Sequence, residues 1–522
     1  VRKEYRIYGP PGTGKTTWIA ARIREYAEMF GPDQVSVCSL TRAAVREVLG
    51  RDLPIPEDNV STLHAKCKRA LHAGPPAESL VAEFAKAHPQ YATADCLPAA
   101  LLRRTAKDGV TSDEVLLSGG GISLYEHAQI LRQKRIPESE WQPGILSWYS
   151  MWRSWCKSRG TMDFTGWLEA CLDPGILPPQ QVVLVDEAQD HTHLQLEVLR
   201  AWNVQHMFLV GDDDQNLYEW SGSDPMAFLS PELPAERELV LNQSYRVPRA
   251  VHALASKWVQ SINGRRVKGY KPRDHEGEIV MSDYSINDAK STGMLPDFIG
   301  SGSRTSMLLA SCGYMFHDII PVIKKAGIPF HNPYRPLDAM WNPLDKPFGI
   351  FREYMIGDEN WTGDQVASWM SIISSKHACE KGGKKRILEA CAEAGGNPLP
   401  SGTLRNNLNG EAYEMVVTQD PEIFRAMRMT GATGNWDYGL RVLDQYGIDM
   451  KPTTILGTIH SVKGGEADDV ILFPDLSPAG FAEYDSRASR DRIVRLFYVG
   501  MTRTRDRLML CDRSSPRAVN WN

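Results

Sequence analysis

No C-x-x-C pair occurs in this sequence; its 9 cysteines are scattered. That argues against a zinc ribbon, an iron–sulfur cluster or a disulfide framework, and suits a reducing cytoplasm. No uninterrupted apolar run approaches the length of a membrane span, and no signal-peptide pattern opens the chain. The expectation is a cytoplasmic protein with no membrane partner. No internal repeat is visible. Positive charge is not in excess: 59 Lys and Arg stand against 64 Asp and Glu, a formal net charge of -5. A nucleic-acid partner therefore has to be met by a local basic groove and not by global attraction. With 522 residues the chain exceeds what a single core can organise, so several domains are expected.

What is present starts with Ile7-Tyr8-Gly9-Pro10-Pro11-Gly12-Thr13-Gly14-Lys15-Thr16. A short apolar strand feeds G-x-x-x-x-G-K-[ST], the phosphate-binding loop. Its glycines let backbone N–H groups curl around a triphosphate. Lys15 reaches the β- and γ-phosphates, and the Thr16 hydroxyl holds Mg²⁺. The run from Thr17 is rich in helix formers, so the phosphates would meet a helix N-terminus.

Strands and helices alternate through residues 1–70. Helical patterns rich in Ala, Leu and Trp dominate about 71–175, which reads as an insertion. Within it Trp148, Trp152 and Trp155 share one helical face, a spacing that favours a packed core stripe over a base-stacking platform. The α/β pattern resumes at Val182 and continues through Leu241. A second α/β block starts near residue 251. Residues 336–449 again read as helical and polar, and strands return at Thr454, Val470 and Arg507. The fold class is α/β, with two domains each interrupted by an insertion.

Val183-Leu184-Val185-Asp186-Glu187 is a buried strand ending in carboxylates. Asp186, beside the loop, suits Mg²⁺, and Glu187 suits orientation of the attacking water. His191 and His193 follow closely, but two histidines fill only half a zinc site. Gly211-Asp212-Asp213-Asp214-Gln215 places three adjacent carboxylates beside the nucleotide, which calls for offsetting positive charge. Gln215 suits a γ-phosphate sensor, and Trp220 a base-stacking ring. Tyr245 and Arg246 suit adenine stacking and γ-phosphate contact. Arg503 lies in an Arg-rich segment suited to stabilising transition-state charge from a second domain.

In order along the chain, these segments resemble superfamily 1A DNA helicases of the UvrD/Rep/PcrA type. The matches are Gly9 to Thr16 (motif I), Leu40 to Ala44 (Ia), Ser61 to His64 (Ib) and Asp186 to Asp190 (II). They continue with Gly211 to Trp220 (III), Gln243 to Arg246 (IV), Thr458 to Glu466 (V) and Tyr498 to Arg503 (VI). The resemblance implies two RecA-like P-loop domains with ATP and Mg²⁺ between them. Domain 1A would comprise 1–70 and 176–250, and domain 2A 251–335 and 450–522. Insertion 1B would be 71–175, and a short 2B 336–449. It implies nucleotide contacts from Gly12, Thr13, Gly14, Lys15, Thr16 and Thr17. Thr16 and Asp186 would serve the metal, and Glu187, Gln215, Arg246 and Arg503 the γ-phosphate. Tyr245 would stack on the base and Glu466 would approach the ribose. A single-strand track would use Thr41, Arg42, Thr62, His64, Trp220 and His460. Lys381 to Arg386, with Lys384 and Lys385, resembles the glycine hairpin that grips duplex phosphates, and reads equally as a solvated basic loop.

The implied activity is ATP-driven translocation on single-stranded DNA and opening of single/double-strand junctions. Motifs III to VI and the two insertions favour 3′→5′ polarity. The Pro10-Pro11-Gly12-Thr13 spelling, commoner in 5′→3′ relatives, keeps the opposite polarity open. A P-loop switch acting on protein partners is the alternative from another class. Arg246 and Arg503 in one chain favour a monomer. The loop lies so near the start of this sequence that the family's upstream adenine-reading Gln motif is expected to be missing. Looser base selectivity, or groups from Arg2 to Tyr5, would take its place. Motif V carries Gly464-Gly465-Glu466 where the family usually has Gly-Leu-Glu. The short stretch after motif VI leaves no expected room for a nuclease fusion.

Overall fold

In the computed structural model the described residues are 3–39, 50–98, 101, 122–173, 175–176, 178, 180–291, 299, 304–336, 338–356, 360–429 and 435–521. The chain forms two compact units. The first comprises Val1–Gly277 with Ala482–Arg503, and the second Glu278–Phe481 with Thr504–Asn522.

The first unit is built on a parallel sheet of six strands: β1 (Lys3–Tyr8), β2 (Val35–Ser39), β3 (Val60–Thr62), β4 (Val182–Val185), β5 (His206–Gly211) and β6 (Glu238–Val240). Their order is β3-β2-β4-β5-β1-β6. All four residues of β4 are buried, as expected of a strand covered on both faces. Ile7, Val37, Leu184 and Val210 fill one face, while Val183, Val185, Leu209 and Met207 fill the other. Tyr8 is in register with Gly211, and Cys38 with Val185. The carboxyl ends of β1, β4 and β5 therefore deliver motifs I, II and III to one edge, where α/β sheets bind ligands.

The helical stretch after β3 keeps its own core. Trp148 and Trp152 stack at 5.8 Å, and Trp152 and Trp155 at 5.5 Å, around Phe84 and Tyr125. All three indoles are buried, so the stripe is core, as its spacing indicates. Two local expectations change. His64 does not extend the strand: Thr62 caps a helix running Leu63–Ala70, and His64 sits in its first turn. Tyr5 does not reach toward a base either; its ring stacks on Phe208 at 4.8 Å, within the aromatic layer beside β5. It lies toward the amino end of β1, three residues before Tyr8, whereas the loop leaves from the carboxyl end.

The second unit carries another parallel six-stranded sheet: β7 (Glu278–Met281), β8 (Ser306–Ala310), β9 (Phe330–His331), β10 (Thr454–Thr458), β11 (Ala467–Leu472) and β12 (Thr504–Leu510). The order is β7-β12-β11-β8-β10-β9. Helices between Asp345 and Tyr446 share one core with this sheet, in which Phe351, Trp369 and Trp436 join Leu308, Phe316 and Leu456. Two parallel sheets flanked by helices are the α/β fold read from the sequence. Among the described residues no helix is long and apolar enough to cross a membrane.

Candidate nucleotide site and its surroundings

The loop after β1 is held by its own backbone and by its neighbour. Gly9 N–H donates to Gly211 O at 2.8 Å, and Thr13 Oγ1 donates to Pro10 O at 2.8 Å. Gly12 and Gly14 have φ of 70° and 79°, the left-handed region that favours glycine. A Cβ on Gly12 would also collide with Arg246 and Ser244. Ser244 Oγ donates to Pro11 O at 2.8 Å, and Tyr245 N–H to Gly12 O at 2.9 Å. Motif IV is thus laced to the phosphate loop. It leaves the Tyr245 ring 72% exposed, available for stacking.

The helix Lys15–Phe30 begins without a side-chain cap. Its first-turn N–H groups then meet whatever occupies the loop, and the helix dipole favours an anion there. Lys15 Nζ donates to Gly9 O at 3.2 Å and lies 3.4 Å from Glu187 Oε1. Thr17 Oγ1 accepts from Arg51 at 3.2 Å. Asp186 is buried at the end of β4, where its N–H donates to Cys38 O at 2.9 Å and its Oδ1 accepts from Glu187 N–H at 2.9 Å. Glu187 has φ of 49°, a strained conformation for a residue with a Cβ. The uncapped helix start, the left-handed glycines, Lys15 and the adjacent carboxylates fit a triphosphate carrying Mg²⁺. Lys15, Thr16 and Asp186 are the groups that would hold it.

From Glu187 a line of side chains runs into motif III. Gln189, fully buried, donates from Nε2 to Glu187 Oε2 at 2.6 Å. Its Oε1 accepts from Asp212 N–H at 3.0 Å. Gln215 Nε2 donates to Asp212 Oδ2 at 2.7 Å, and Gln215 Oε1 accepts from Arg503 Nη2 at 3.3 Å. Lys15, Asp186, Glu187, Gln215 and Arg503 therefore converge within the first unit. Arg503 follows the helix Arg490–Met501, which packs in this unit.

The positive charge demanded by the three aspartates comes from Lys268, whose Nζ lies 2.8, 2.5 and 2.9 Å from Asp212, Asp213 and Asp214. Arg265 Nε adds a 2.8 Å bond to Asp214, and Arg266 N–H one of 2.9 Å to Asp213. Burial opposes the charge on Lys268, but the carboxylates outweigh it and raise its pKa. Burial likewise pushes the Asp214 carboxyl up, yet Arg265 and Lys268 hold it below the ordinary value. Sequence reading missed these bases, which sit in a polar stretch more than fifty residues downstream. It also missed Gln189 as a bridge; its place inside motif II was the available signal.

The expected strand contacts divide. Thr62 Oγ1 accepts from Ala65 N–H at 3.3 Å, the bond that caps its helix. His64 is half-buried and edge-on to Phe164 at 6.1 Å. Trp220 is half-exposed in the turn Glu219–Ser221, 6.2 Å from Tyr218. Thr41 and Arg42 lie outside the described residues. The neighbouring histidines hold no metal pair: His191 is fully buried, and His193 Nε2 lies 2.7 Å from Asp224.

The remaining candidates belong to the second unit. His460 opens the turn His460–Val462 after β10, and Glu466 accepts from Arg505 at 3.0 Å. Gly465 has a specific reason to be glycine: a Cβ there would overlap the Tyr334 ring. Lys384 Nζ donates to Ile373 O at 2.6 Å, whereas Lys385 is exposed beside Glu389 at 3.7 Å. Gly382 is left-handed, and Gly383 packs where a Cβ would overlap Asn407 O.

A phosphate loop, strand-end carboxylates and a buried glutamine bridge at the edge of a parallel sheet are the features of a P-loop nucleotide-binding core. A family model described as AAA domain (AAA_19) matches residues 2–221. The chain is 26% identical over 165 residues to DNA helicase II of Escherichia coli (strain K12), a match covering 30% of this chain and 23% of that protein. It is 31% identical over 101 residues to the ATP-dependent DNA helicase PcrA of Bacillus subtilis (strain 168), covering 19% and 14%. A longer match joins it to a Mycoplasma capricolum protein named "Probable DNA helicase II homolog", 23% identical over 353 residues, 61% of this chain and 46% of that one. In fold and motif order the chain is similar to helicases of the UvrD/Rep/PcrA type of superfamily 1A, the likeness its motifs carry. It spans less than half the length of each of these relatives, and about a quarter of helicase II.

Proposed function

We propose that this protein is an ATP-dependent DNA helicase that moves along single-stranded DNA, with 3′→5′ polarity, and opens single/double-strand junctions as a monomer. The observation that carries the reading is the bonded line Lys15–Glu187–Gln189–Asp212–Gln215–Arg503 within one compact unit, which passes through the backbone N–H of Asp212. It supplies a phosphate-binding base, a carboxylate beside it and an arginine tied to a γ-phosphate-sensing amide.

In this reading the loop from Gly12 to Thr17 cradles the phosphates, and Thr16 with Asp186 serves Mg²⁺. Bound ATP supplies the anhydride bond whose hydrolysis drives movement. Glu187 orients the attacking water and accepts its proton. Gln215, Arg246 and Arg503 meet the charge that develops on the γ-phosphoryl group, a kind of contribution worth about 10³–10⁵ in rate where an arginine supplies it. Tyr245 stacks on the base. Trp220 stacks on a nucleobase of the strand for about 1–3 kcal/mol. His64, Thr62 and, in the second unit, His460, Glu466, Lys384 and Lys385 enter through the family likeness, as does the division into 1A, 1B, 2A and 2B.

Two measurements test this. ATPase activity should rise strongly with single-stranded DNA; no stimulation by any nucleic acid would favour a switch acting on proteins. Unwinding should require a 3′ tail. Preference for a 5′ tail would reverse the polarity, in line with the Pro10-Pro11-Gly12-Thr13 spelling.

A further inference from the structure

Glu219 precedes Trp220 in the short turn Glu219–Ser221. Its carboxylate takes two arginines from one face of the helix Arg490–Met501. Arg495 Nη1 lies 2.8 Å from Oε1, and Arg492 Nε 3.1 Å from Oε2. Positions three apart on a helix face the same way, so both cations meet one anion without distortion. Arg495 is nearly buried and also donates from Nε to Asp213 O at 3.0 Å. The chain continues from this helix into Arg503, whose guanidinium reaches Gln215.

One helix and the two residues that follow it therefore grip motif III at both ends: Arg495 holds Glu219 beside Trp220, and Arg503, just past the helix end at Met501, holds Gln215 at the nucleotide site. From Arg495 to Met501 is six residues of helix, about 9 Å at the α-helical rise. A charge-assisted pair with little solvent around it resists sliding, and a helix transmits displacement stiffly. We propose that Glu219 and Arg495 are positioning residues that couple a nucleobase on Trp220 to Arg503, so that an occupied strand track accelerates hydrolysis. This rests on the reading of Trp220 and Arg503 given above. Neither Glu219 nor Arg495 touches substrate in it. Their function is to carry the state of one contact to the other.

The test compares basal and oligo(dT)-stimulated ATPase in wild type, Glu219→Gln and Arg492→Ala, with melting temperature and oligo(dT) affinity measured alongside. Glu219→Gln keeps the shape and removes the charge. Stimulation should fall about tenfold, within the 5–150-fold range of site-to-site couplings, with the basal rate and strand affinity each kept to within about threefold. Arg492→Ala, at the more exposed partner, should lose part of the stimulation in a chain that melts normally. Pairing each change with Trp220→Ala should add no further loss of stimulation, because both break one path. Equal stimulation of wild type and Glu219→Gln would overturn the coupling and leave the motor reading standing. An equal fall of basal and stimulated rates would show a structural role only and overturn it too. A wild type that no strand stimulates would overturn the motor reading itself, and the coupling with it.

Discussion

Gln189 joins Glu187 to Asp212: its amide nitrogen donates to the glutamate carboxylate at 2.6 Å while its oxygen accepts the aspartate N–H at 3.0 Å. Glu187 stands in a left-handed conformation that costs energy, and Gln189 is the side chain that fixes where its carboxylate points. Gly211 makes room for the bridge, since a Cβ there would overlap Gln189 Oε1. Gln189→Glu keeps the size and sets two carboxylates against each other. We expect kcat to fall about 10–100-fold, as for lost outer-shell partners elsewhere, with the KM for ATP within about threefold. Steady-state ATPase kinetics check this; a rise in KM at constant kcat would mean that Gln189 serves binding alone.

Lys268 should be among the most costly single residues to truncate. Its ammonium is the shared counter-ion of three buried carboxylates. Lys268→Ala leaves Asp212 and Asp213 without their ammonium partner while Arg265 still pairs Asp214, and breaking a buried pair in this way typically costs about 3–5 kcal/mol. Calorimetric melting of the variant should show a large drop. A drop no greater than that of an exposed-lysine control such as Lys385→Ala would refute the assignment.

Glu78 predicts a pH effect on the helical stretch. Its carboxyl is buried; Oε1 accepts from Tyr125 OH and from Phe164 N–H, and Oε2 has no partner. Burial, reinforced by the neighbouring Asp163, pushes its pKa up to about 8. The folded state then binds a proton that the unfolded chain gives up near pH 4.5. The contribution is fully present below that value and is lost as pH rises through about 8. Glu78→Gln mimics the protonated form, so its melting temperature relative to wild type should climb between pH 6 and 9. A difference that stays flat across that interval would show that Glu78 is ionised throughout.

Trp220 and Tyr245 should separate the two ligands. Trp220→Ala should weaken oligo(dT) binding by about 1–3 kcal/mol and leave ATP binding nearly unchanged. Tyr245→Ala should raise the KM for ATP with little effect on the strand, because its exposed ring belongs to a segment bonded to the phosphate loop. Anisotropy titrations and ATPase kinetics on the same pair of variants decide it. Equal loss of both ligands in Trp220→Ala would make that indole a structural anchor.

Arg503→Ala should spare ATP binding and slow turnover, since its guanidinium meets Gln215, the amide read as the γ-phosphate sensor. Lys15→Ala should abolish hydrolysis with little change in melting, because the loop is held by backbone and hydroxyl bonds that do not use the Lys15 ammonium. Unaltered turnover in either variant would remove that residue from the chemistry.

Much of the first unit was legible because its signals are local. A buried apolar strand, a tight loop and a helix start occupy adjacent residues in motif I, and β4 announces itself by four consecutive branched side chains. The indole stripe of the helical stretch was read correctly from its spacing. What escaped were partners brought together by folding. Lys268 and Arg265 look like surface bases until the chain returns them to Asp212–Asp214. Thr62, placed on the strand track by the resemblance, also caps the next helix through its oxygen, a bond that depends on where the helix begins. Tyr5, one of the groups expected to stand in for the adenine reader, sits three residues before Tyr8 and packs on Phe208. Strand β9 is two residues long, too brief for any periodicity to show.

Gly465 and Tyr334 are fitted to one another. The phenol ring occupies the volume that a side chain at 465 would need, and Asn332 anchors its loop through bonds to Leu456 O and Tyr334 N–H. A side chain at 465 would have to push the partly exposed ring aside, so the two positions share one volume. Substitutions there should be non-additive: Gly465→Ala should cost less stability beside Tyr334→Ala than alone.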